Sequence, residues 1–176
     1  MDLPEKFSKH IFNMMSKDIL NNKSIKILDF GGGDGAISLK LAELFVKNGV
    51  ENVEISLVDH IDNFNKTDFK DIKINKFYKL SDIQSTNFNV IIASAIIEHL
   101  EEPAYHLALL FSFLKKNGFI YFRSPYILPL YLFLKKFGLN LDLQYPTHLH
   151  DLGFKFWNNL KEWIKNVELD LVVSQP

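Results

Sequence analysis

Apolar residues recur along the chain with two different periods. Near the N-terminus they follow a helical spacing, which predicts an amphipathic helix over residues 4–20. Helices are also predicted over 36–47, from Pro103 to a stop at 115–118, and over 156–165. Residues 60–76 are polar and lack a clear pattern, and only a short helix near 64–70 is predicted there. Short apolar runs between them predict buried strands at 25–30, 53–58, 74–80, 89–94, 119–123 and 167–173.

Strands that alternate with helices predict βαβ units, and therefore a mostly parallel sheet with helices on both faces. This is a Rossmann-like, doubly wound α/β fold. Ligands of such sheets bind beyond the carboxyl ends of the strands, where the strand order reverses. The glycine-rich stretch 31–35, Asp59, Ser94 and Ser124 each follow a predicted strand. We therefore expect them to share one edge of the sheet.

The stretch "ILDFGGGDGAIS", residues 27–38, places four glycines directly after a strand and before a helix. Glycine accepts positive φ and lets a ligand come close to the backbone, so the stretch predicts a ligand. Its Gly31-x-Gly33-x-x-Ala36 spacing also fits the dinucleotide pattern, which leaves an NAD(P)-dependent oxidoreductase as an alternative. Asp29 favours a different ligand, because a carboxylate repels a pyrophosphate and attracts a cationic amine.

Composition narrows the possible partners. The 176 residues suit one domain, and the net charge of −1 argues against broad attraction to nucleic acid or anionic membranes. There is no cysteine, so disulfides and thiolate chemistry are excluded, and Arg123 is the only arginine. The N-terminus is too polar for a signal peptide, and the most apolar stretch, 126–134, is too short to span a bilayer. These features predict a cytoplasmic protein without stable membrane insertion.

Four segments resemble, in order, the motifs of the class I S-adenosylmethionine-dependent methyltransferases. They are "ILDFGGGDG", "EISLVDH", "FNVIIASAIIEHLEEP" and "LKKNGFIYFRSP", which together cover roughly residues 24–125. Asn89 and Asn117 depart from the usual aspartate and proline of these motifs. The resemblance is closest to the branch of quinone-pathway and small-molecule O-methyltransferases. It implies the class I methyltransferase fold, S-adenosylmethionine as the methyl donor and a small-molecule acceptor, with a hydroxyl as the expected methylated group.

The resemblance also assigns cofactor-binding residues. It places Asp29 and the glycine loop at the methionyl part of the cofactor, the loop residues being Gly31, Gly32, Gly33 and Gly35. Asp59 would bind the ribose hydroxyls, and His60 would lie beside the adenine. The position that reads the adenine amino group corresponds to Asp82 and Ile83, although a solvated turn is the alternative for Asp82. Ser94 would line the methyl-transfer site.

A hydroxyl acceptor must lose a proton, and histidine is the natural base near neutral pH. His148, in "YPTHLHD", is the preferred catalytic base, with a packing or capping role as the alternative. His99, in "IIEHL", matches the family's common Glu-His pair, and catalytic and structural roles are equally open. His148, His150 and Asp151 could also gather a divalent metal. Because such spacing is common by chance, we expect no metal.

The resulting layout is a single methyltransferase domain over 1–176. It comprises an N-terminal helix (1–23), a cofactor-binding core (24–125), an acceptor cap (126–153) and a C-terminal helix and strand (154–176). The family's sheet normally ends in a hairpin of two strands, whereas only 167–173 is found here, so the last strand is either missing or supplied differently. An exposed edge could then support a homodimer as well as a monomer. A non-catalytic S-adenosylmethionine-binding protein remains an alternative, and His10 and His106 are expected to be inert.

Overall fold

Five parallel strands form the centre of the protein. The computed structural model describes residues 2–15, 17–124, 133, 136–138, 152, 156, 157, 159 and 160. Within them the sheet has the order β3-β2-β1-β4-β5, and every neighbouring pair is parallel. The strands are β1 (Ser24–Phe30), β2 (Asn52–Val58), β3 (Ile72–Phe77), β4 (Phe88–Ser94) and β5 (Leu114–Arg123). The order reverses between β1 and β4, which places the ligand-binding crevice at their carboxyl ends.

Four α-helices flank the sheet within the described residues: α1 (Leu3–Met14), α2 (Lys17–Leu20), α3 (Ala36–Lys47) and α4 (Pro103–Phe113). Asp2 caps α1, because its Oδ1 accepts the Glu5 backbone N–H at 2.9 Å. Asn48 ends α3 by donating its side-chain amide to the Leu44 carbonyl oxygen at 2.8 Å. Two short 3₁₀ turns, Leu80–Asp82 and Ile97–His99, follow β3 and β4.

The sheet is covered on both faces, as the sequence predicts. Successive side chains of β1 point to opposite faces, so Ile27 packs with α1 and α3, whereas Leu28 packs with α4. The first core contains Ile11 and Phe45, and the second contains Leu110. The predicted doubly wound fold is therefore confirmed, and all of its described strand pairs are parallel.

Two predicted helices differ from the structure. The helix predicted over 4–20 is interrupted at Met15, whose extended backbone (ψ 147°) separates α1 from α2. The short helix predicted near 64–70 is absent, and that stretch contains no regular element. Phe64 and Phe69 are its apolar anchors and both pack against the α1/α3 core. They are five residues apart, which does not match the spacing of one helical face.

Two element boundaries also differ. The strand predicted at 74–80 is β3, which lies earlier, because Tyr78 and Lys79 leave the sheet before the 3₁₀ turn. Helix α4 ends at Phe113 rather than at 115–118, and β5 begins at once. Its pairing jumps from Phe88↔Leu114 to Val90↔Phe119, and Asn117 within the bulge has φ 62°. Residues 115–118, predicted as the end of the helix, therefore lie in a bulge of β5.

Part of the C-terminal prediction lies outside the described residues. Phe156, Trp157, Asn159 and Leu160 are helical, in agreement with the helix predicted over 156–165. The strand predicted at 167–173 and nearly all of the acceptor cap at 126–153 are not described. The prediction that the last strand is missing or supplied differently is therefore untested.

Asn89 has a structural role at the start of the β1–β4 pairing. Its buried Oδ1 accepts the backbone N–H of Lys26 at 2.9 Å. Asn89→Leu should leave that N–H unsatisfied and lower the free energy of unfolding by about 1–3 kcal/mol. Measured at about pH 4, where a buried aspartate is protonated, Asn89→Asp retains the acceptor without a buried charge and should lose less than half as much. Urea unfolding of both variants measures this difference, and equal losses would contradict the proposed role of the hydrogen bond.

Candidate active site

The turn between β1 and α3 is closed by backbone hydrogen bonds at the carboxyl edge of the sheet. Gly31 donates its N–H to the Val58 carbonyl oxygen at 2.8 Å, which attaches the turn to β2. Gly35 donates to the Gly32 carbonyl oxygen at 2.9 Å and occupies the N-cap of α3. The turn therefore has a defined conformation set by two neighbouring strands.

Protein neighbours account for three of the four glycines. A Cβ on Gly32 would lie 2.4 Å from the Asp29 carboxyl carbon, and one on Gly31 would lie 2.5 Å from the Ile96 side chain. At Gly35 the nearest atom would be a Leu57 methyl carbon at 3.1 Å. Gly31, Gly33 and Gly35 all have positive φ (+68°, +59° and +75°), but Gly33 differs in its surroundings, because its Cβ would meet only an Ile61 methyl carbon, at 4.0 Å. Gly33 is thus the position where a ligand can approach the turn.

Asp29 is a buried carboxylate beneath this turn. It is 2 % exposed, and its Oδ2 has no hydrogen-bond partner within the described part of the chain. Burial raises the pKa of Asp29 to about 6, and a hydrogen bond with the Ser38 hydroxyl partly opposes this shift. The negative charges of Asp59 and Asp34 raise the pKa further. An ammonium group at this position would satisfy the free oxygen and stabilise the ionised form.

Asp59 is held at the carboxyl end of β2 by backbone groups. Its Oδ2 accepts the N–H of Gly33 at 2.7 Å, and its Oδ1 accepts the N–H of Ile61 at 3.0 Å. The Lys76 ammonium donates to the Asp59 carbonyl oxygen. Each carboxylate oxygen retains a further lone pair, so the oriented carboxylate can accept two more hydrogen bonds. This geometry suits a vicinal diol.

A cavity of about 710 Å³ lies beside Asp59 on the α4 side of the sheet. Of the predicted cofactor-binding residues, Gly31, Asp59, His60 and Ile83 line it. The connection from β3 to β4 contains only a three-residue 3₁₀ turn, which leaves this space unfilled by a helix. The remaining lining is mostly aromatic and aliphatic: Phe30, Val58, Tyr78, Lys79, Leu80, Ser81, Ile96, Leu100, Tyr105, His106, Leu109 and Phe113.

His106 lines this cavity, although the sequence-based expectation was that it is inert. Its Nδ1 lies 3.0 Å from the Glu102 carbonyl oxygen, so Nδ1 is the donor of this hydrogen bond. The ring stacks on Phe30, with centroids 5.9 Å apart and planes at 10°. His106, Leu109 and Phe113 share one helical face by their spacing. This periodicity is the sequence signal that groups His106 with the two apolar residues of the cavity lining.

Asp82, Ser94 and His99 lie outside the cavity lining. Asp82 is exposed, with its Oδ1 3.4 Å from the Ser81 hydroxyl. Its neighbour Ile83, which does line the cavity, donates its N–H to the Leu80 carbonyl oxygen at 3.1 Å. Ser94 accepts a hydrogen bond from the Arg123 Nε at 2.8 Å. His99 is half-buried in the 3₁₀ turn after β4.

The preferred base, His148, lies outside the described residues, as do His150 and Asp151. Within the described ranges there is no group of three or more potential metal ligands. Glu98 was not considered in the sequence analysis, yet its side chain is almost fully buried. Neither of its carboxylate oxygens has a hydrogen-bond partner in the part of the chain that the structure describes.

The contact between Gly32 and Asp29 can be tested by a double-mutant cycle. Gly32→Ala should lower the free energy of unfolding by about 1–3 kcal/mol, because the added methyl overlaps the carboxyl group. In an Asp29→Ala background the same change should cost less than about 0.5 kcal/mol, since the overlapping group is gone. Urea unfolding measures all four proteins. Equal costs in both backgrounds would show that Asp29 does not require glycine here.

The raised pKa of Asp29 predicts a pH-dependent stability. The folded state binds this proton more tightly than the unfolded state, so ionisation destabilises the fold as pH rises from about 4 to about 6. A shift of this size corresponds to about 3 kcal/mol. Asp29→Asn should therefore be more stable than the parent at pH 8, with the difference vanishing towards pH 4. Thermal unfolding across this range measures it, and a constant difference would contradict the buried-carboxylate explanation.

Comparison with known proteins identifies the family. A family model described as "Methyltransferase domain" matches residues 4–172. A search of curated proteins found no match. Within the described residues no helix is long and apolar enough to cross a membrane. The family match covers the sheet, the glycine turn and the cavity described above.

Solved structures share the fold at low sequence identity. A putative methyltransferase from Bacillus halodurans has TM-score 0.61 and 13 % identity, with 92 % of this chain and 68 % of that chain covered. A putative S-adenosyl-L-methionine-dependent methyltransferase from Methanococcus maripaludis has TM-score 0.56 and 15 % identity, with 97 % of this chain and 80 % of that chain covered. The CurJ carbon methyltransferase has TM-score 0.57 and 15 % identity, with 92 % of this chain and 46 % of that chain covered. The chain belongs to the methyltransferase-domain family and is a class I S-adenosylmethionine-dependent methyltransferase.

Proposed function

We propose that this methyltransferase methylates a hydroxyl group of a small molecule, with the cofactor lying along the carboxyl edge from β4 to β2. The methionyl ammonium contacts Asp29, the ribose hydroxyls contact Asp59, and the adenine enters the cavity. The observation that carries the proposal is the oriented Asp59 carboxylate, which is bonded to the Gly33 N–H at 2.7 Å and lines the cavity. Asp59 thereby connects Gly33 of the glycine turn to the cavity that would hold the adenine.

The residues present fit each part of the cofactor. Asp29 offers an unpaired carboxylate oxygen for a cation, and Gly33 leaves room above the turn. His60 and Ile83 line the cavity, which supplies flat apolar walls for an adenine. We propose that Asp82 contributes from the rim, since Ser81 and Ile83 on either side of it line the same cavity.

S-adenosylmethionine, when bound, supplies an electrophilic methyl group on a sulfonium. The chain's contribution is mainly alignment of donor and acceptor, which lowers the barrier by up to about 7–11 kcal/mol. Ser94 lies at the end of β4, next to β1 at the reversal of strand order, and we propose that it lines the reaction centre. The methyl donor and the acceptor would both lie next to Ser94.

The acceptor assignment follows from charge and from the need for a base. The net charge of −1 gives no broad attraction for nucleic acid, which favours a small-molecule acceptor. A hydroxyl must lose its proton, and we propose His148 as the base that removes it, with His99 as the second candidate. The proposed acceptor cap over 126–153 would enclose the acceptor within a single domain. We propose a cytoplasmic monomer or homodimer.

Calorimetry tests the cofactor assignment directly. The parent should bind S-adenosylhomocysteine and not NADH. Asp59→Ala should weaken binding by about 10–100-fold, because two hydrogen bonds from ribose hydroxyls to a charged group are lost. Asp68→Asn, which removes an exposed carboxylate from the loop after β2, is the matched control and should bind like the parent.

Two results of these measurements would contradict the proposal. One is unchanged affinity for S-adenosylhomocysteine in Asp59→Ala. The other concerns the acceptor: with a labelled methyl donor, a panel of phenols and alcohols should yield labelled ethers. Labelling confined to amines, carbon acids or nucleic acid would overturn the hydroxyl assignment and leave the cofactor assignment intact.

A further inference from the structure

We infer that Arg123 binds an anionic group, a carboxylate or a phosphate, of the methyl acceptor. The inference rests on the proposed function, because it takes the carboxyl ends of β4 and β5 as the place where the acceptor meets the methyl donor. It adds a property of the acceptor that the methyltransferase fold does not specify, namely a negative charge.

Arg123 is held in a defined orientation at this edge. It is the last residue of β5 and pairs in register with Ser94, the last residue of β4. Its Nε donates to the Ser94 hydroxyl oxygen at 2.8 Å. Its guanidinium carbon lies 4.4 Å from the centre of the Phe7 ring of α1, a cation–π contact. These two contacts fix the plane of the guanidinium beside the proposed reaction centre.

The charge of Arg123 is not neutralised within the described residues. Every ion pair there joins a lysine to a glutamate, and no carboxylate lies within ion-pair distance of the guanidinium. The Nε–H is the only guanidinium donor with a hydrogen-bond partner in that part of the chain. The two terminal nitrogens keep their four N–H groups, which form the planar fork that matches a carboxylate or phosphate. Arg123 is also partly buried, which strengthens such a pairing relative to one in water.

The contact with Ser94 favours the acceptor over the cofactor as the source of the anion. The Arg123 Nε is held at the Ser94 hydroxyl, which is the proposed methyl-transfer position. Asp29, the proposed partner of the methionyl ammonium, is in register with Ile92, and Ile92 with Tyr121, so Arg123 lies two strands away and two residues further along. We therefore assign the anion to the acceptor, and a comparison of S-adenosylhomocysteine with 5′-methylthioadenosine tests the cofactor carboxylate as the other source.

The single arginine of this chain allows a direct test. Phenylglyoxal modifies arginine selectively, so mass spectrometry of the full-length chain reports Arg123 alone, and Arg123→Lys supplies the blank. The chain is first saturated with S-adenosylhomocysteine, and benzoate, inorganic phosphate or neutral benzamide is then added at equal ionic strength. At about 10 mM, an anion with a Kd of about 2 mM should slow modification roughly sixfold by mass action. Benzamide should leave the rate unchanged.

Three outcomes would overturn the inference. The first is an Arg123 that phenylglyoxal does not modify in the free protein, since an acceptor could not reach it either. The second is equal protection, or none, by the anions and benzamide. The third is strong protection by S-adenosylhomocysteine alone but not by 5′-methylthioadenosine, which lacks the amino-acid group. That result would assign the guanidinium to the carboxylate of the cofactor.

Variants separate this inference from the proposed function. Arg123→Gln should retain the parent's affinity for S-adenosylhomocysteine within about twofold while losing benzoate or phosphate binding. Lys116→Gln removes an exposed positive charge near the other end of β5 and should keep both properties. Absence of S-adenosylhomocysteine binding in the parent would refute the proposed function. Normal binding without anion-specific protection would refute only the role of Arg123.

Discussion

The carboxylate of Asp29, enclosed beneath the backbone of Gly32, is the constraint on which the rest of the site depends. Its oxygens occupy the space that any side chain at position 32 would need. The backbone must therefore pass closely over the carboxylate before it enters α3. That path brings the Gly33 N–H to the Asp59 carboxylate, and their hydrogen bond orients this second carboxylate at the end of β2. A buried charge with a free oxygen lowers the stability of the folded protein, which is consistent with a position retained for binding.

The two faces of the sheet contribute differently to the site. On the α4 face, the connection from β3 to β4 lacks a helix, and the cavity beside Asp59 occupies the resulting space. On the α1 face, Arg123 reaches Ser94 and Phe7 at the same carboxyl edge. The proposed cofactor would thus extend across the edge, with its adenine on one side and the methyl group near the charged side chain on the other. The short connection from β3 to β4 makes the space for the adenine, and Arg123 lies at the opposite end of the proposed site.

Much of the fold could be predicted from the sequence because burial controls it. The apolar runs located β1, β2 and β4 to within one residue, and α3 was predicted with its observed bounds because its apolar face and the stop at Asn48 agree. The break at Met15 and the bulge at Asn117 could not be predicted in this way. Both depend on tertiary packing and strand pairing, which periodicity does not encode. The helix predicted near 64–70 is wrong, because Phe64 and Phe69 are partly buried and pack against the α1/α3 core from an irregular loop.

The site was predicted less completely than the fold. The motifs singled out Asp29 and Asp59, and the structure places both at the carboxyl ends of β1 and β2. His106 was not predicted to line a site: its spacing places it on one helix face with Leu109 and Phe113, but that this face borders a cavity depends on tertiary packing. The glycines illustrate a second limit: the sequence could not distinguish those that lie tightly against protein atoms from Gly33, whose Cβ position has an Ile61 methyl carbon at 4.0 Å as its nearest neighbour. Only coordinates supply that distinction.

A crystal structure of the chain bound to S-adenosylhomocysteine is the measurement that tests the central claim most directly. The account predicts both ribose hydroxyls within about 3.2 Å of the Asp59 carboxylate oxygens and the ammonium group at a similar distance from Asp29. The adenine would lie between His60 and Ile83. A nucleoside bound elsewhere, with Asp59 contacting only the N–H groups of Gly33 and Ile61, would contradict it.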